Sequence, residues 1–134
     1  EMCIRDRGNE NILYPKWEKG HYKGGIGEYD RLEQARKINR EAADASASWG
    51  MFQIMGFNYA ACGEESIESF VRSMCESEFK QLLLTANFIK KNSQMLQALQ
   101  ARDWAVFAKC YNGPAYAQNR YDVKLEAAYQ KYSL

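Results

Sequence analysis

No apolar stretch in this chain is long enough to cross a bilayer. The longest, around Leu82-Leu83-Leu84, is only a few residues, whereas a spanning helix needs about 20. Neither sign of charge dominates: 18 Lys and Arg against 17 Asp and Glu leave a net charge of +1, with acids and bases interspersed. No basic block or stripe therefore indicates nucleic acid, and no polybasic amphipathic helix indicates a membrane surface. Histidine is reduced to His21, and none of Cys3, Cys62, Cys75 and Cys110 has a partner at metal-ligand spacing. A protein-held metal is not expected. Cys75 and Cys110 lie in helical, apolar contexts, so buried free thiols are expected rather than disulfides. Strand-like alternation, repeats, low-complexity tracts and interdomain linkers are also missing. Residues 1–7 carry neither the apolar core nor the small-residue cleavage site of a secretory signal. They fit poorly with the rest of the chain and resemble translated sequencing-adapter sequence. They are expected to be a non-native leader, with the domain itself covering 8–134.

What is present is a globular chain of 134 residues, 46% apolar and 26% charged. That is one domain or part of one, long enough to bury roughly two-thirds of its unfolded surface. Residues 8–28 read as an irregular lead-in with Pro15, Gly24-Gly25 and the aromatics Tyr14, Trp17 and Tyr22. From Glu28, the residues Leu32, Ala35, Ile38, Ala42 and Ala43 fall at helical spacing, and one helix is expected to run up to Ser46-Ala47-Ser48. A short helix or turn comes next over 49–55 and closes at Gly56; another covers 58–62 and stops at Gly63. Ser66 is expected to start a helix, with Ile67, Phe70, Val71 and Met74 on one face. Phe79, Leu82, Leu83, Ala86 and Ile89 continue that stripe, as one long helix or as two broken near Glu76. Helices over 93–100 and 103–111, the second capped by Asp103, precede Pro114. A last helix over 119–132 has Val123, Leu125, Ala128 and Tyr129 as its apolar side. The expected fold class is all-α, a compact set of mostly short helices.

Two stretches hold polar groups in unusual settings. In 46–56, Gln53 offers a donor and an acceptor within a dense apolar run, and Gly50 permits close backbone approach. On this segment alone, a core-lining helix with Gln53 capping a backbone group outweighs a binding role. In Tyr111-Asn112-Gly113-Pro114, Asn and Gly form a common helix stop, and a plain C-cap outweighs a cleft that uses the polar ends of Tyr111 and Asn112.

The pair, in this order and separation, resembles soluble lytic transglycosylases and goose-type lysozymes, where a Gly-Leu-Met-Gln-type segment precedes an Ala-Tyr-Asn-Gly-type one. The match extends further. Tyr14-Pro15-Lys16-Trp17, Glu28-Tyr29-Asp30-Arg31-Leu32, Ala42-Ala43, the run from Ser46 to Asn58, Asp103-Trp104-Ala105, Tyr111-Asn112-Gly113-Pro114-Ala115-Tyr116 and Tyr121-Asp122-Val123-Lys124-Leu125 together resemble the peptidoglycan N-acetylmuramidase domain of phage endolysins. The resemblance implies a lysozyme-like bundle and a glycosidase that cleaves the β-1,4 bond between N-acetylmuramic acid and N-acetylglucosamine. It implies that Ser48, Gln53, Tyr111, Asn112 and Tyr116 line the glycan cleft, Ser48 by supporting a catalytic Glu. No cofactor is implied. The expected partner is the bacterial peptidoglycan glycan strand, met by a monomer. The expected route is synthesis in the host cytoplasm and action on the wall after release.

The family's general-acid Glu is the departure. In the resembling enzymes it precedes these segments on an N-terminal helix, so it is expected upstream of residue 1, and the domain is expected to lack its N-terminal helical part. Among the acids present, Glu78 shares a helix face with Met74 and could edge an apolar cleft, although a solvated face is the stronger reading. The same weighing applies to Glu41, and Asp30 and Arg31 are expected to pair or to lie on the surface. Trp17, Tyr22, Tyr59, Tyr111 and Tyr116 could stack on sugar rings, whereas Trp49 and Trp104 read as core anchors. Two alternatives remain open: a lytic transglycosylase, which shares these segments, and a non-catalytic peptidoglycan-binding module.

Overall fold

Asn39 divides the first helical stretch. The computed structural model describes residue 8, residues 11–13 and residues 20–133. The single helix expected after Glu28 is there two helices, α1 (Gly27–Ile38) and α2 (Arg40–Ser46). Asn39 between them is extended, with φ −159° and ψ 109°, and its side chain accepts the Ala42 N–H. An Asn that satisfies backbone donors itself competes with helix continuation, and a periodicity of apolar residues does not register that competition.

The segment expected to be a short helix or turn over 49–55 is a hairpin, which also corrects the expectation of no strands. β1 (Ser48–Trp49) pairs antiparallel with β2 (Ile54–Met55), Ser48 opposite Met55 and Trp49 opposite Ile54. Gly50 and Gln53 both have positive φ, 70° and 54°, which no right-handed helix accommodates. Trp49 and Ile54 carry the buried face. A 3-10 turn, Gly56–Asn58, comes directly after β2. Gly56 leaves no room for a side chain, because a Cβ there would sit 2.1 Å from the Asp44 carbonyl oxygen.

Ser66 does cap the next helix, α3 (Ile67–Glu76), in a reciprocal capping box with Ser69. Ile67, Phe70 and Met74 form its buried face. The helix ends at the extended Ser77, and α4 (Glu78–Lys91) begins anew. That break is the second of the two expected alternatives, and it resets the helical phase, so the expected stripe is kept at the half-buried Ala86 and Ile89 and lost before them. Phe79, Leu82 and Leu83 are 70%, 51% and 44% exposed, while Leu84 and Thr85 are buried.

The chain divides into two compact units, Glu1–Leu82 and Leu83–Leu134, with the division falling inside α4. In the first, α1 packs on α2 and α2 packs on α3. Its buried residues include Ala43, Trp49, Ile54, Cys62, Ile67, Phe70 and Met74. Full burial of a side chain such as Phe70 contributes about 1.5–3 kcal/mol. The second holds α5 (Ser93–Ala101), α6 (Trp104–Asn112) and α7 (Tyr121–Tyr132), joined by the left-handed Arg102 and by a 3-10 helix, Pro114–Asn119. Asn92 and Asp103 cap α5 and α6 as acceptors for Met95 N–H and Val106 N–H. The core there is Met95, Ala98 and Phe107, with Leu99, Cys110, Tyr111 and Leu125 packed against it. No residue of α7 is buried; of its expected apolar side Leu125 is half-buried, while Val123, Ala128 and Tyr129 are exposed.

An ion pair that the sequence did not signal ties α1, α2 and the hairpin together. Asp44 is buried and accepts from Arg36 Nε at 2.7 Å. Arg36 also meets Glu33 at 2.6 Å and lies 5.8 Å above the Trp49 ring. The Trp49 indole N–H donates to the Asp44 backbone carbonyl at 2.9 Å. Arg31 pairs with Glu28, three residues back on α1, and not with Asp30.

Candidate functional site

The turn that joins β1 to β2 presents Gln53. Its backbone is left-handed at φ 54°, a conformation that costs an ordinary residue roughly 1–2 kcal/mol and that Gly or Asn adopts at less cost. The side chain is exposed, which corrects the expectation of an amide within an apolar interior. It is nevertheless held. Gln53 Oε1 accepts from Ser48 Oγ at 2.9 Å, and Nε2 donates to the Gly50 carbonyl at 2.9 Å. The backbone N–H of Gln53 reaches the same carbonyl at 3.3 Å. A primary amide has two donors and two acceptor lone pairs, so one of each remains to meet a ligand from solvent. Such an arrangement fits a group that binds both a hydroxyl and a carbonyl.

Behind this turn stands Gln81 of α4. Its Oε1 accepts the Met51 backbone N–H at 2.9 Å, and its Nε2 donates to the Met74 carbonyl at 2.9 Å. Gly50 is required by that approach as well as by its φ: a Cβ at Gly50 would lie 2.8 Å from Gln81 Oε1 and 3.1 Å from Met74 Sδ. Nothing in the local pattern marks Gln81. The available signal is a lone amide between apolar neighbours, facing a Gly-centred turn 30 residues away in sequence.

Of the residues expected to line a cleft, the first unit brings Ser48 and Gln53 together directly. Tyr111, Asn112 and Tyr116 belong to the second unit. Tyr111 is half-buried, stacked on Phe107 with ring centroids 5.7 Å apart and edge-on to Phe88 at 6.0 Å. Asn112 is exposed as the last residue of α6. Gly113, at φ 84°, takes the chain out of the helix as expected, and Tyr116 sits half-buried in the 3-10 helix beyond it. Trp49 is a core anchor as expected, while Trp104 is half-buried with its ring 5.3 Å from that of Tyr129. Tyr14 to Trp17 lie outside the described residues.

A general acid needs an apolar pocket to hold its proton near neutral pH, and no described carboxylate has one. Asp44 is the buried carboxylate among the described residues, and it is committed to Arg36. Glu64 is half-buried but accepts from Ser73 Oγ at 2.7 Å, and hydrogen bonds from Ser73 and then Ser69 hold its pKa below the ordinary value. The Gly24 N–H does the same for Glu28, helped by Arg31 and the Lys23 N–H. A lowered pKa is the wrong direction for proton donation. Glu78 opens α4 and Glu41 lies in the first turn of α2, both exposed. Among the described residues no cluster of His, Cys, Asp and Glu of metal-binding size occurs. Of the cysteines there, Cys62 is buried and Cys110 half-buried, but Cys75 is exposed, because it lies about 100° around α3 from the buried Met74. All three are free thiols.

Comparison with known proteins bears on this site. The crystal structure of a Burkholderia AP3 phage endolysin is similar at a TM-score of 0.86 and 42% identity, over 96% of this chain and 48% of that one. This chain therefore spans about half the length of that endolysin chain. Its all-α, lysozyme-like class stands on that likeness and on the helices above, with the small hairpin added. No curated protein matches. The family model of the N-acetylmuramidases matches residues 1–133, and across that length the chain belongs to the N-acetylmuramidase family.

Proposed function

We propose that this chain forms the glycan-binding wall of a peptidoglycan N-acetylmuramidase, which hydrolyses the β-1,4 bond between N-acetylmuramic acid and N-acetylglucosamine. The observation that carries the proposal is Gln53: exposed, held in a left-handed backbone, with its amide fixed by Ser48 and Gly50. Strain kept at an exposed polar residue supports a functional role for that side chain. In this role Gln53 holds the sugar or a water beside the bond that breaks. The hydrolysis needs a carboxylic acid to protonate the leaving oxygen, while the oxygen of water adds to the anomeric carbon and its proton passes to a base. We place that acid outside the described residues, because no described carboxylate has the apolar setting it requires. The site of action is the bacterial cell wall.

Sedimentation with purified peptidoglycan, run beside a turbidity assay, tests this. We expect the 134-residue chain to bind weakly and not to lyse walls. Gln53→Ala should weaken binding about tenfold, the loss expected for a pair of hydrogen bonds. Unchanged binding would remove Gln53 from the site. Measured lysis would place the acid within the 134-residue chain, and Glu78→Gln and Glu41→Gln would then test the described candidates. Where the family enzyme releases fragments, reducing muramic ends mark hydrolysis and anhydromuramyl ends mark a transglycosylase.

A further inference from the structure

We propose that Gln81 is a positioning residue for Gln53. It clamps the Gly50–Met51 peptide and thereby sets the direction in which the Gln53 amide meets a glycan. The inference rests on the glycan-binding reading of Gln53 and deepens it.

One peptide unit is held from both of its sides. The carbonyl of Gly50 takes two donors from Gln53, the backbone N–H at 3.3 Å and Nε2 at 2.9 Å. The N–H on the other side of the same peptide, that of Met51, is taken by Gln81 Oε1 at 2.9 Å. Gly50 has no Cβ and φ 70°, so its ψ is free to rotate unless something holds the peptide. Rotation would swing the Gly50 carbonyl away from Gln53 and release the amide that it orients. Gln81 opposes that rotation from outside the turn. It can do so because its other end is anchored: Nε2 donates to the carbonyl of Met74 at 2.9 Å, among the last carbonyls of α3, which have no partner within their own helix. Met74 is itself buried. The clamp therefore runs from the α3 core through Gln81 to the turn, and Gly50 is the residue that lets Gln81 close on it.

The test uses the full chain, its Gln81→Met and Gln81→Glu variants, and a soluble tetrasaccharide cut from peptidoglycan as the probe. Nuclear magnetic resonance follows hydrogen exchange at the Met51 amide, and the shift of the Gln53 side-chain amide on titration gives the affinity. Met is close in size and cannot hydrogen-bond; Glu keeps the acceptor for Met51. In Gln81→Met we expect faster Met51 exchange and about five- to tenfold weaker affinity, the effect of one lost hydrogen bond, with the melting transition retained. Gln81→Glu keeps the acceptor for Met51 but loses the donor to the Met74 carbonyl, so its Met51 protection and its affinity should both fall between the native and Gln81→Met values. Native affinity in Gln81→Met overturns the positioning role while leaving Gln53 as a glycan contact. Lost affinity in Gln81→Glu with Met51 still protected also overturns it, since affinity then does not follow the turn. A Gln53 amide that does not respond to the tetrasaccharide in the native chain sinks the glycan reading itself, and this role with it.

Discussion

Asp44 shows how much one buried charge can decide. Its carboxylate has left water, and Arg36 at 2.7 Å is what compensates it. That hydrogen bond is also the main reason the Arg36 pKa is raised. Asp44→Asn keeps an acceptor for Arg36 but removes the charge that compensates its guanidinium, and should cost about 2–3 kcal/mol in urea unfolding, at the low end for a broken buried pair because Arg36 keeps some solvent and Glu33. Glu64 makes a smaller contribution that depends on pH. Hydrogen bonds from Ser73 and Ser69 lower its pKa from 4.5. A carboxyl with a lowered folded-state pKa stabilises the fold above its unfolded value and loses that contribution as pH falls. Native stability should therefore decline as pH drops below about 4.5 toward the lowered value, and Ser73→Ala should flatten the decline. Thermal melts of both proteins between pH 3 and 6 would check it. Beside it, burial pushes the Cys62 thiol up to about 11, so the thiolate is scarce at neutral pH.

At the scale of elements, glycine places the hairpin. Gly50 and Gly56 bracket it, yet they are needed for different reasons. At Gly50, φ 70° and the closeness of the Gln81 amide disfavour a side chain, and that amide belongs to a flexible group that can shift. At Gly56 the obstacle is backbone, the Asp44 carbonyl oxygen 2.1 Å from any Cβ. Gly50→Ala should cost about 1–2 kcal/mol, and Gly56→Ala about 3 kcal/mol, in the same denaturation measurement. The reverse order would mean that the Asp44 backbone yields more easily than the turn. Where a helix ends was legible in part. Ser66 and Asp103 were readable as caps because each lies directly before an apolar helical run. Asn39 was not, since its neighbours on both sides fit one helical phase.

Across the whole molecule, the break at Ser77 leaves apolar groups on the surface. Phe79 and Leu82 stand three apart on one face of α4 and are both more than half exposed. Phe79→Ser with Leu82→Ser should lower binding of a hydrophobic dye while changing stability by no more than about 0.5 kcal/mol each, as for other surface positions. A larger loss of melting temperature would show that these side chains are buried in solution. Among the described residues no helix is long and apolar enough to cross a membrane.

Most of the helices, the caps at Ser66 and Asp103 and the stop at Gly113 were determined by the sequence itself, because each depends on residues within a turn or two of one another. The same holds for the family, which rests on short segments in a fixed order. The tertiary structure alone decided what those segments do. It turned 46–56 into a hairpin, put Gln53 on its surface with Ser48 as partner, and brought Gln81 to the Met51 amide across 30 residues of chain. Periodicity records which side of an element is apolar. A left-handed turn residue and a hydrogen bond between distant amides leave no periodic trace, since both depend on where the packed helices bring the backbone.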